Sequence, residues 1–199
     1  LNILMEKNNI LKATEYLNQS LQQLIDGNVS MEKLAITKAL RSDYKNPMQI
    51  GHWVLAERIG KRDPGNKPKP GDRMKFVFVE NKDKKALMGD KIETTEYILQ
   101  NELNIDYAHY ITNQLMKPLQ QLFGLALEQI YEMQRKTSAL KTVKKEVIKL
   151  EQDAGGDLEL FMKKREKYTS AKIKTLLFDK FLTKINNKRN NLQAITSFF

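Results

Sequence analysis

Residues 71–79 read Gly-Asp-Arg-Met-Lys-Phe-Val-Phe-Val and form the most strand-like stretch of the sequence. Charged and apolar residues alternate from Arg73 before the run becomes continuously apolar, which predicts a strand over 73–79. The preceding residues 60–72 carry three of the five prolines, so we expect an irregular basic loop there.

The upstream sequence predicts one more strand and two helices. Residues 34–37 are short and partly β-branched, which is typical of a strand. An asparagine cap and a proline open a helix over 46–58, and Gly60 marks its end. Apolar residues recur at helical spacing over 4–25, and Gly27 then predicts a C-terminal stop.

The downstream sequence is helical and increasingly basic. Thr94 and Asp106 look like helix starts, and Pro118 is expected to kink or split the apolar-rich stretch 107–131. Beyond residue 131, two further helices are predicted on either side of Gly155-Gly156. The predicted fold is therefore mostly α with a small β component: a helical domain with a few short strands, then a basic helical hairpin and a flexible tail.

The composition limits the classes of protein that fit. With 199 residues, 41% of them hydrophobic and 29% charged, the chain is long enough for one domain with an appendage. No run approaches the ~20 apolar residues of a membrane span. The absence of cysteine excludes disulfides, thiol nucleophiles and thiolate metal sites. We expect a soluble, intracellular protein.

The net charge of +10 is concentrated in two zones of the sequence. Residues 33–85 contain 14 lysines and arginines against 6 acidic residues, and residues 128–199 contain 16 against 9. A polyanionic partner is one interpretation, because basic side chains near phosphates release condensed counterions. A merely solvated basic surface is the other, and charge alone does not decide between them.

The sequence shows no arrangement of residues that is typical of catalysis. Asp153 and Asp157 lie in a lysine-rich, glycine-broken segment, where solvated surface acids are the simpler interpretation. No glycine loop suited to phosphate is present, and no serine has an adjacent histidine. His109 stands among aromatic residues, where a packed or hydrogen-bonded side chain is expected. We predict no catalytic residue, metal ligand or cofactor in this chain.

Five blocks of sequence, in order, resemble the thumb domain of family B DNA polymerases, and above all the delta-like group that includes polymerases of large DNA viruses. The blocks are Leu34-Ala-Ile-Thr-Lys-Ala-Leu40, Asn46-Pro47 with His52, Val54-Leu-Ala-Glu-Arg58, Gly71-Asp-Arg73 with the strand that follows, and Ile105-Asp-Tyr107 leading to Tyr110-Ile-Thr-Asn-Gln-Leu115 and Pro118-Leu119. The helix that ends at Gly27 resembles the segment linking palm to thumb.

This resemblance implies the C-terminal part of a DNA-directed DNA polymerase that grips the primer–template duplex through its phosphate backbone. Nucleotidyl transfer in the parent would use two magnesium ions held by palm aspartates, and those palm motifs are not in this sequence. The phosphate ligands expected here are Lys38, Arg41, Arg58, Lys61, Arg62, Arg73 and Lys75, with Tyr44, His52 and Tyr110 as hydrogen-bonding aids. Such contacts carry no sequence information, as a polymerase requires.

The resemblance also divides the chain into four predicted segments. They are a palm-to-thumb linking helix over 1–30, a thumb domain over 31–131, a basic helical extension over 132–190 and a tail over 191–199. Cellular delta-type polymerases continue into two metal-binding cysteine clusters, which this chain lacks. No resemblance is identified for the extension. It is either a solvated helical spacer, or an added duplex-gripping surface or docking arm.

The last residues resemble the peptide by which replication proteins bind a ring-shaped sliding clamp. That motif places an aliphatic residue, two intervening positions and two adjacent aromatics on one helical turn. Ile195, Phe198 and Phe199 match it, preceded by Gln193 and by Leu192 where the motif usually has glutamine. The alternative is that the two phenylalanines pack onto the helix predicted around 176–182.

Two other classes of protein compete with the polymerase hypothesis. One is a freestanding basic helical protein that binds nucleic acid or scaffolds an assembly, and the other is a membrane-surface protein. The chain begins with Leu1 rather than methionine, so we expect a fragment of a longer protein. Its expected partners are the primer–template duplex, a sliding clamp and the palm of the parent chain, with no membrane. It would act at the site of replication, in the nucleus or a viral replication compartment.

Overall fold

The structure, a computed structural model, describes residues 10–83 and 85–190. They pack into two compact units: residues 27–110 form one, and the residues up to 26 form the other together with those from 111 onward. These packing units divide the chain at other places than the four predicted segments. Within the described ranges, no helix has the length and apolar character needed to cross a bilayer.

Helices dominate the described residues, and the prediction of a mostly α fold with a small β component is confirmed. The helices are α1 Ile10–Ile25, α2 Met31–Leu34, α3 Gly51–Arg62, α4 Thr95–Gln100, α5 Tyr107–His109, α6 Met116–Gly124, α7 Leu127–Met133, α8 Thr137–Gln152, α9 Leu158–Ile173 and α10 Asp179–Arg189. The strands are β1 Ile36–Ala39, β2 Arg73–Phe78 and β3 Ile92–Glu93. Short 3₁₀ turns occur at Pro47–Gln49, Pro64–Asn66 and Met88–Lys91, and π-helical turns at Tyr110–Leu115 and Lys174–Phe178.

The unit of residues 27–110 is built on an antiparallel sheet with the strand order β1-β2-β3. In the register of β1 and β2, Lys38 lies opposite Met74 and Thr37 lies opposite Lys75. Residues opposite each other in an antiparallel pair share a face, and successive residues alternate between faces. Lys38 therefore lies on the face of buried Met74 and Phe76, whereas Lys75 lies on the other face.

A tight turn joins the proline-rich loop to β2. Pro70 and Gly71 are its central residues, the φ angle of Gly71 is +100°, and the Asp72 amide donates to the Lys69 carbonyl at 3.0 Å. Proline followed by glycine at positive φ is the pattern of a type II turn. The Leu40 amide then donates to the Asp72 carbonyl, and the Gly71 amide to the Leu40 carbonyl, both at 2.8 Å. The loop thereby returns alongside the end of β1.

Three predicted boundaries in this unit were wrong. Strand β1 begins two residues later than predicted, because Leu34 ends the one-turn helix α2. Helix α3 begins at Gly51, and the side chain of Asn46 forms no cap. The same helix continues past Gly60, where a β-carbon would come within 2.6 Å of the Lys67 side chain. That glycine permits the loop to approach the helix and does not end it.

Two predicted helix starts are confirmed by their capping hydrogen bonds. The Thr94 hydroxyl accepts from the Tyr97 amide at 3.3 Å, and the Asp106 carboxylate accepts from the His109 amide at 2.8 Å. The predicted split of this stretch at Pro118 is also found, because a proline disturbs the helical turn that precedes it. The apolar stretch is interrupted by the π-helical turn before α6 and by the break between α6 and α7, while the proline lies in the first turn of α6.

The other unit contains α1 and the helices from α6 onward, and its core includes side chains of the basic extension. The least exposed of them, at 2% or less, are Val143, Ile173, Leu177, Phe178 and Phe181. Helices α6 and α9 are joined by a hydrogen bond from the Gln120 side chain to the Ser170 carbonyl at 2.9 Å. Lys184 of α10 donates to the Gln22 side chain of α1 at 2.9 Å. The extension is therefore part of a packed unit and not a solvated spacer.

Candidate nucleic-acid interface

A groove rich in cationic side chains lies between the loop after α3 and strand β2. It has a volume of about 510 Å³, and its basic lining residues are Lys67, Lys69, Arg73 and Lys75, a set we call the basic groove. The Asp72 carboxylate also lines it and accepts from the Lys69 amide at 2.7 Å. The groove thus presents four cations around one carboxylate that already binds the backbone.

The cations of the basic groove are only loosely neutralised by the protein. Lys67 lies 2.8 Å from Glu57 and Lys75 lies 3.8 Å from Glu32, and all four side chains are substantially exposed. Exposed pairs of this kind contribute at most about 1 kcal/mol and are screened by salt. Lys69 and Arg73 form no ion pair with any residue in the described part of the chain. An anion entering the groove therefore meets little competition.

Three other predicted phosphate ligands are exposed and separate from the groove. Lys38, Arg41 and Lys61 form no ion pair within residues 10–83 and 85–190. The strand register places Lys38 on the opposite face of the sheet from Arg73 and Lys75. The predicted ligands therefore do not all point to one side of the sheet.

Tyr44 and His52 are hydrogen-bonded to each other and to the end of β1. The Tyr44 hydroxyl lies 2.8 Å from His52 Nε2 and 3.3 Å from the Ala39 carbonyl, and it accepts from the Arg41 amide at 3.0 Å. Burial lowers the pKa of His52, a hydrogen bond with the Ala39 backbone opposes this, and the Lys38 charge lowers it further. The imidazole is therefore neutral near pH 7. Both side chains hold the segment around Arg41 in place.

Arg58 and Arg62, two further predicted ligands, converge on a buried carboxylate. Arg58 Nε lies 3.2 Å and Arg62 Nη2 lies 2.8 Å from Glu93, whose side chain is 4% exposed. Arg58 also donates to the carbonyls of Gly89 at 2.9 Å and Ile92 at 2.6 Å. These bonds tie α3 to β3, so both arginines have an internal structural role.

Tyr110, the last predicted hydrogen-bonding aid, is buried. Its residue is 4% exposed, and its hydroxyl accepts from the Phe78 amide at 3.0 Å. Burial raises its pKa, so the phenol stays protonated. The neighbouring His109 ring stacks on Phe78 with the centroids 3.5 Å apart, and burial lowers the pKa of His109. This aromatic cluster packs the sheet against α5.

Sequence reasoning missed two of the groove residues, Lys67 and Lys69. They alternate with prolines in the segment Asn66-Lys-Pro-Lys-Pro70, which was predicted only as an irregular basic loop. Each proline fixes the backbone and removes an amide donor, so such a loop holds its lysines in a restricted set of positions. The alternation of lysine with proline was the sequence feature that could have identified Lys67 and Lys69 as site residues.

A second cavity, of about 280 Å³, lies in the unit that contains α6–α10. Its charged lining residues are Glu128, Glu132 and Arg165, so it has no strong preference for an anion. No group of three histidine or acidic side chains in the described residues is arranged to hold a metal ion.

Residues 2–126 match the family model described as DNA polymerase family B. The chain belongs to DNA polymerase family B. The resemblance seen in the sequence, to viral and delta-like polymerases of this family, is confirmed by the relatives that follow.

The relatives of this family B chain are viral and cellular. It is 41% identical over 201 residues to the DNA polymerase of Pyramimonas orientalis virus, covering 100% of this chain and 16% of that protein. It is 41% identical over 130 residues to the DNA polymerase of Acanthamoeba polyphaga mimivirus, covering 63% and 8%. It is 36% identical over 124 residues to the DNA polymerase delta catalytic subunit of Candida albicans, covering 62% and 12%.

The lengths of these alignments bear on the basic extension. The chain spans 16% or less of the length of each of these three relatives. The Pyramimonas orientalis virus alignment covers the whole chain, whereas the other two cover less than two thirds of it. The extension of this family B chain therefore has a counterpart in the Pyramimonas orientalis virus polymerase, although its sequence alone resembled no family.

Proposed function

We propose that residues 27–110 are the thumb part of a family B DNA polymerase and that they grip the primer–template duplex through its phosphate backbone. The observation that carries this proposal is the basic groove: a type II turn and a proline-fixed loop bring four cationic side chains together. Lysine and arginine contacts to phosphates position a duplex without reading its sequence. Family membership supports DNA as the polyanion.

The exposed residues Arg41, Lys38 and Lys61 would extend this contact beyond the groove. Tyr44 and His52 would act indirectly, since their polar atoms are occupied by the Arg41 segment and by each other. We leave Arg58, Arg62 and Tyr110 out of the proposed contact because their polar groups bind Glu93, backbone carbonyls and the Phe78 amide.

Replacing Arg73 and Lys75 together by glutamine should weaken binding of a fluorescently labelled primer–template. Each lost phosphate contact lowers the slope of log affinity against log salt by about 0.9, so the double variant should lose about 1.8. Fluorescence anisotropy with the full chain over a range of salt concentrations measures this slope.

The matched control removes the same charge elsewhere: Lys82→Gln with Lys85→Gln, two exposed residues that do not line the groove. We expect its slope to equal that of the unchanged protein. Equal slopes for all three proteins would refute the groove as the contact site. Equal decreases in slope for the two variants would show that the effect comes from net charge and not from the groove.

The chemistry of the longer polymerase would lie outside this chain. Template-directed nucleotidyl transfer would use two magnesium ions in the palm of the parent, and this part would hold the duplex product behind that site. The polymerase would act wherever the DNA is replicated, in a nucleus or a viral replication compartment. Clusters of carboxylates in the sequence preceding Leu1 would support this assignment.

The predicted clamp-docking tail lies outside the described residues and stays a proposal from sequence. A peptide of residues 190–199 should bind the cognate sliding clamp with micromolar affinity, because ordering a short chain offsets most of the gain from burying its apolar side chains. Isothermal titration measures the affinity, and Phe198→Ala with Phe199→Ala is the control that should abolish it. An unaltered peptide that does not bind at high micromolar concentration would contradict the proposal.

A further inference from the structure

Helix α10 carries a row of lysines along one exposed face. Lys180, Lys184 and Lys188 follow one another at intervals of four residues, and all three are exposed. At a rise of 1.5 Å per residue the row is about 12 Å long. Like charges at this spacing repel and destabilise a helix, so the row lowers the stability of α10.

Among residues 10–83 and 85–190, no carboxylate lies within ion-pair distance of this row. Asp179 is the only acidic residue of α10, and it lies 3.0 Å from Lys174 outside the row. Lys184 donates to the Gln22 side chain, whose amide nitrogen in turn donates to the Asp26 carboxylate at 2.8 Å. Within the described part of the chain, no lysine of the row is paired with an acid.

A buried aromatic ring contacts two of these ammonium groups. The Nζ atoms of Lys180 and Lys184 lie 4.7 Å and 5.9 Å from the ring centroid of Phe181. The ring is 2% exposed and so has little freedom to move. Both cations therefore lie within reach of the same ring, which attracts each of them. A bound anion would relieve the repulsion between lysines four residues apart.

We propose that Lys180, Lys184 and Lys188 form a second binding site for the phosphate backbone of double-stranded DNA, separate from the basic groove. One strand of a duplex carries a phosphate for every 3.4 Å of axis, so a row of about 12 Å spans three to four phosphates. Thr183 and Asn187, between the lysines in sequence, are types of side chain that also donate to phosphate oxygens.

The structure favours DNA over a membrane as the occupant of this row. A helix that lies on a bilayer needs an exposed apolar face. Of the apolar residues of α10, Phe181 and Ile185 are buried, at 2% and 7% exposure, and Leu182 is half-buried. The chain also belongs to a family of DNA polymerases. The row therefore offers charge and hydrogen bonds, with little apolar surface to insert.

Helix α8 supplies a matched control within the same unit. Lys141, Lys145 and Lys149 have the same spacing and are likewise exposed. Carboxylates accompany them, however: Glu146 and Asp153 lie three residues before and four residues after Lys149. The two rows have the same number and spacing of lysines, but α8 also carries the acidic residues Glu146 and Glu151 among its lysines, whereas Asp179 is the acidic residue of α10 and pairs with Lys174.

The test compares triple Lys→Gln variants of the two rows in the full chain, titrated with a short labelled duplex over a range of salt concentrations. The α10 variant should lower the salt slope by about 2.7, and the α8 variant should leave it unchanged. Circular dichroism melting checks the fold of both. The single variant Lys188→Gln, which removes a residue with no described side-chain partner, should lower the slope by about 0.9 and serves if the triple variant does not fold.

Equal losses in the two triple variants would show an effect of net charge alone and overturn the proposal, as would no loss in the α10 variant. Sedimentation with phosphatidylserine vesicles identifies a membrane occupant: loss of vesicle binding without loss of DNA binding in the α10 variant also overturns it. The basic groove is tested independently of this row, because the variant with Arg73 and Lys75 replaced by glutamine keeps all the lysines of α10. Either site can fail while the other stands.

Discussion

Replacing Glu93 by alanine should lower the free energy of unfolding of the unit of residues 27–110 by about 3 kcal/mol. Removing one partner of a buried ion pair costs roughly 3–5 kcal/mol, because the remaining charge is left without compensation. Here Arg58 and Arg62 are 26% and 32% exposed, so water offsets part of the loss. Urea unfolding followed by fluorescence of Trp53, the single tryptophan, reports on α3 directly.

The control is Glu57→Ala, which removes the carboxylate paired with Lys67 at 2.8 Å. Both members of that pair are exposed by about a third or more, and exposed pairs are worth at most about 1 kcal/mol. If both variants shift the urea midpoint equally, the Glu93 cluster is not the link between α3 and β3 that the distances indicate.

The sheet shows which parts of this fold were predictable from sequence. Strand β2 was predicted because its charged and apolar residues alternate over several positions before an apolar run. Strand β3 has two residues, Ile92 and Glu93, and such a strand has no pattern of its own. It exists because Phe78 and Val77 pair with it. The sequence around Glu93 also gives no sign that this residue is buried, because its partners Arg58 and Arg62 lie 35 and 31 residues earlier in the chain.

The candidate site was predictable as a zone but not as a surface. Counting charges located the excess of cations over 33–85. Which of them share a face depends on strand register, and a difference of one position separates Lys38 from Lys75. Which of these cations are free to contact DNA depends on pairing with acids that are distant in sequence. Arg58 and Arg62 are not free, because both bind the buried Glu93. Neither property is encoded in local sequence.

Replacing Phe178 by alanine should lower the free energy of unfolding of the other unit by about 3–5 kcal/mol. The residue is 0% exposed, and a large-to-small change in a core loses the transfer free energy of the ring and leaves a cavity. It lies in the π-helical turn between α9 and α10, within the extension that the family model does not reach. Urea unfolding followed by far-ultraviolet circular dichroism measures the effect, because this unit is helical.

The control for Phe178 is Leu158→Ala in the same extension. Leu158 is the first residue of α9 and is 71% exposed, so its replacement should change the free energy of unfolding by no more than about 0.5 kcal/mol. A large effect of Phe178→Ala beside a negligible effect of Leu158→Ala shows that the extension contributes to the core of its unit. Similar small effects in both would mean that this core is not formed in solution, and the lysine row of α10 would then lose the buried ring that contacts it.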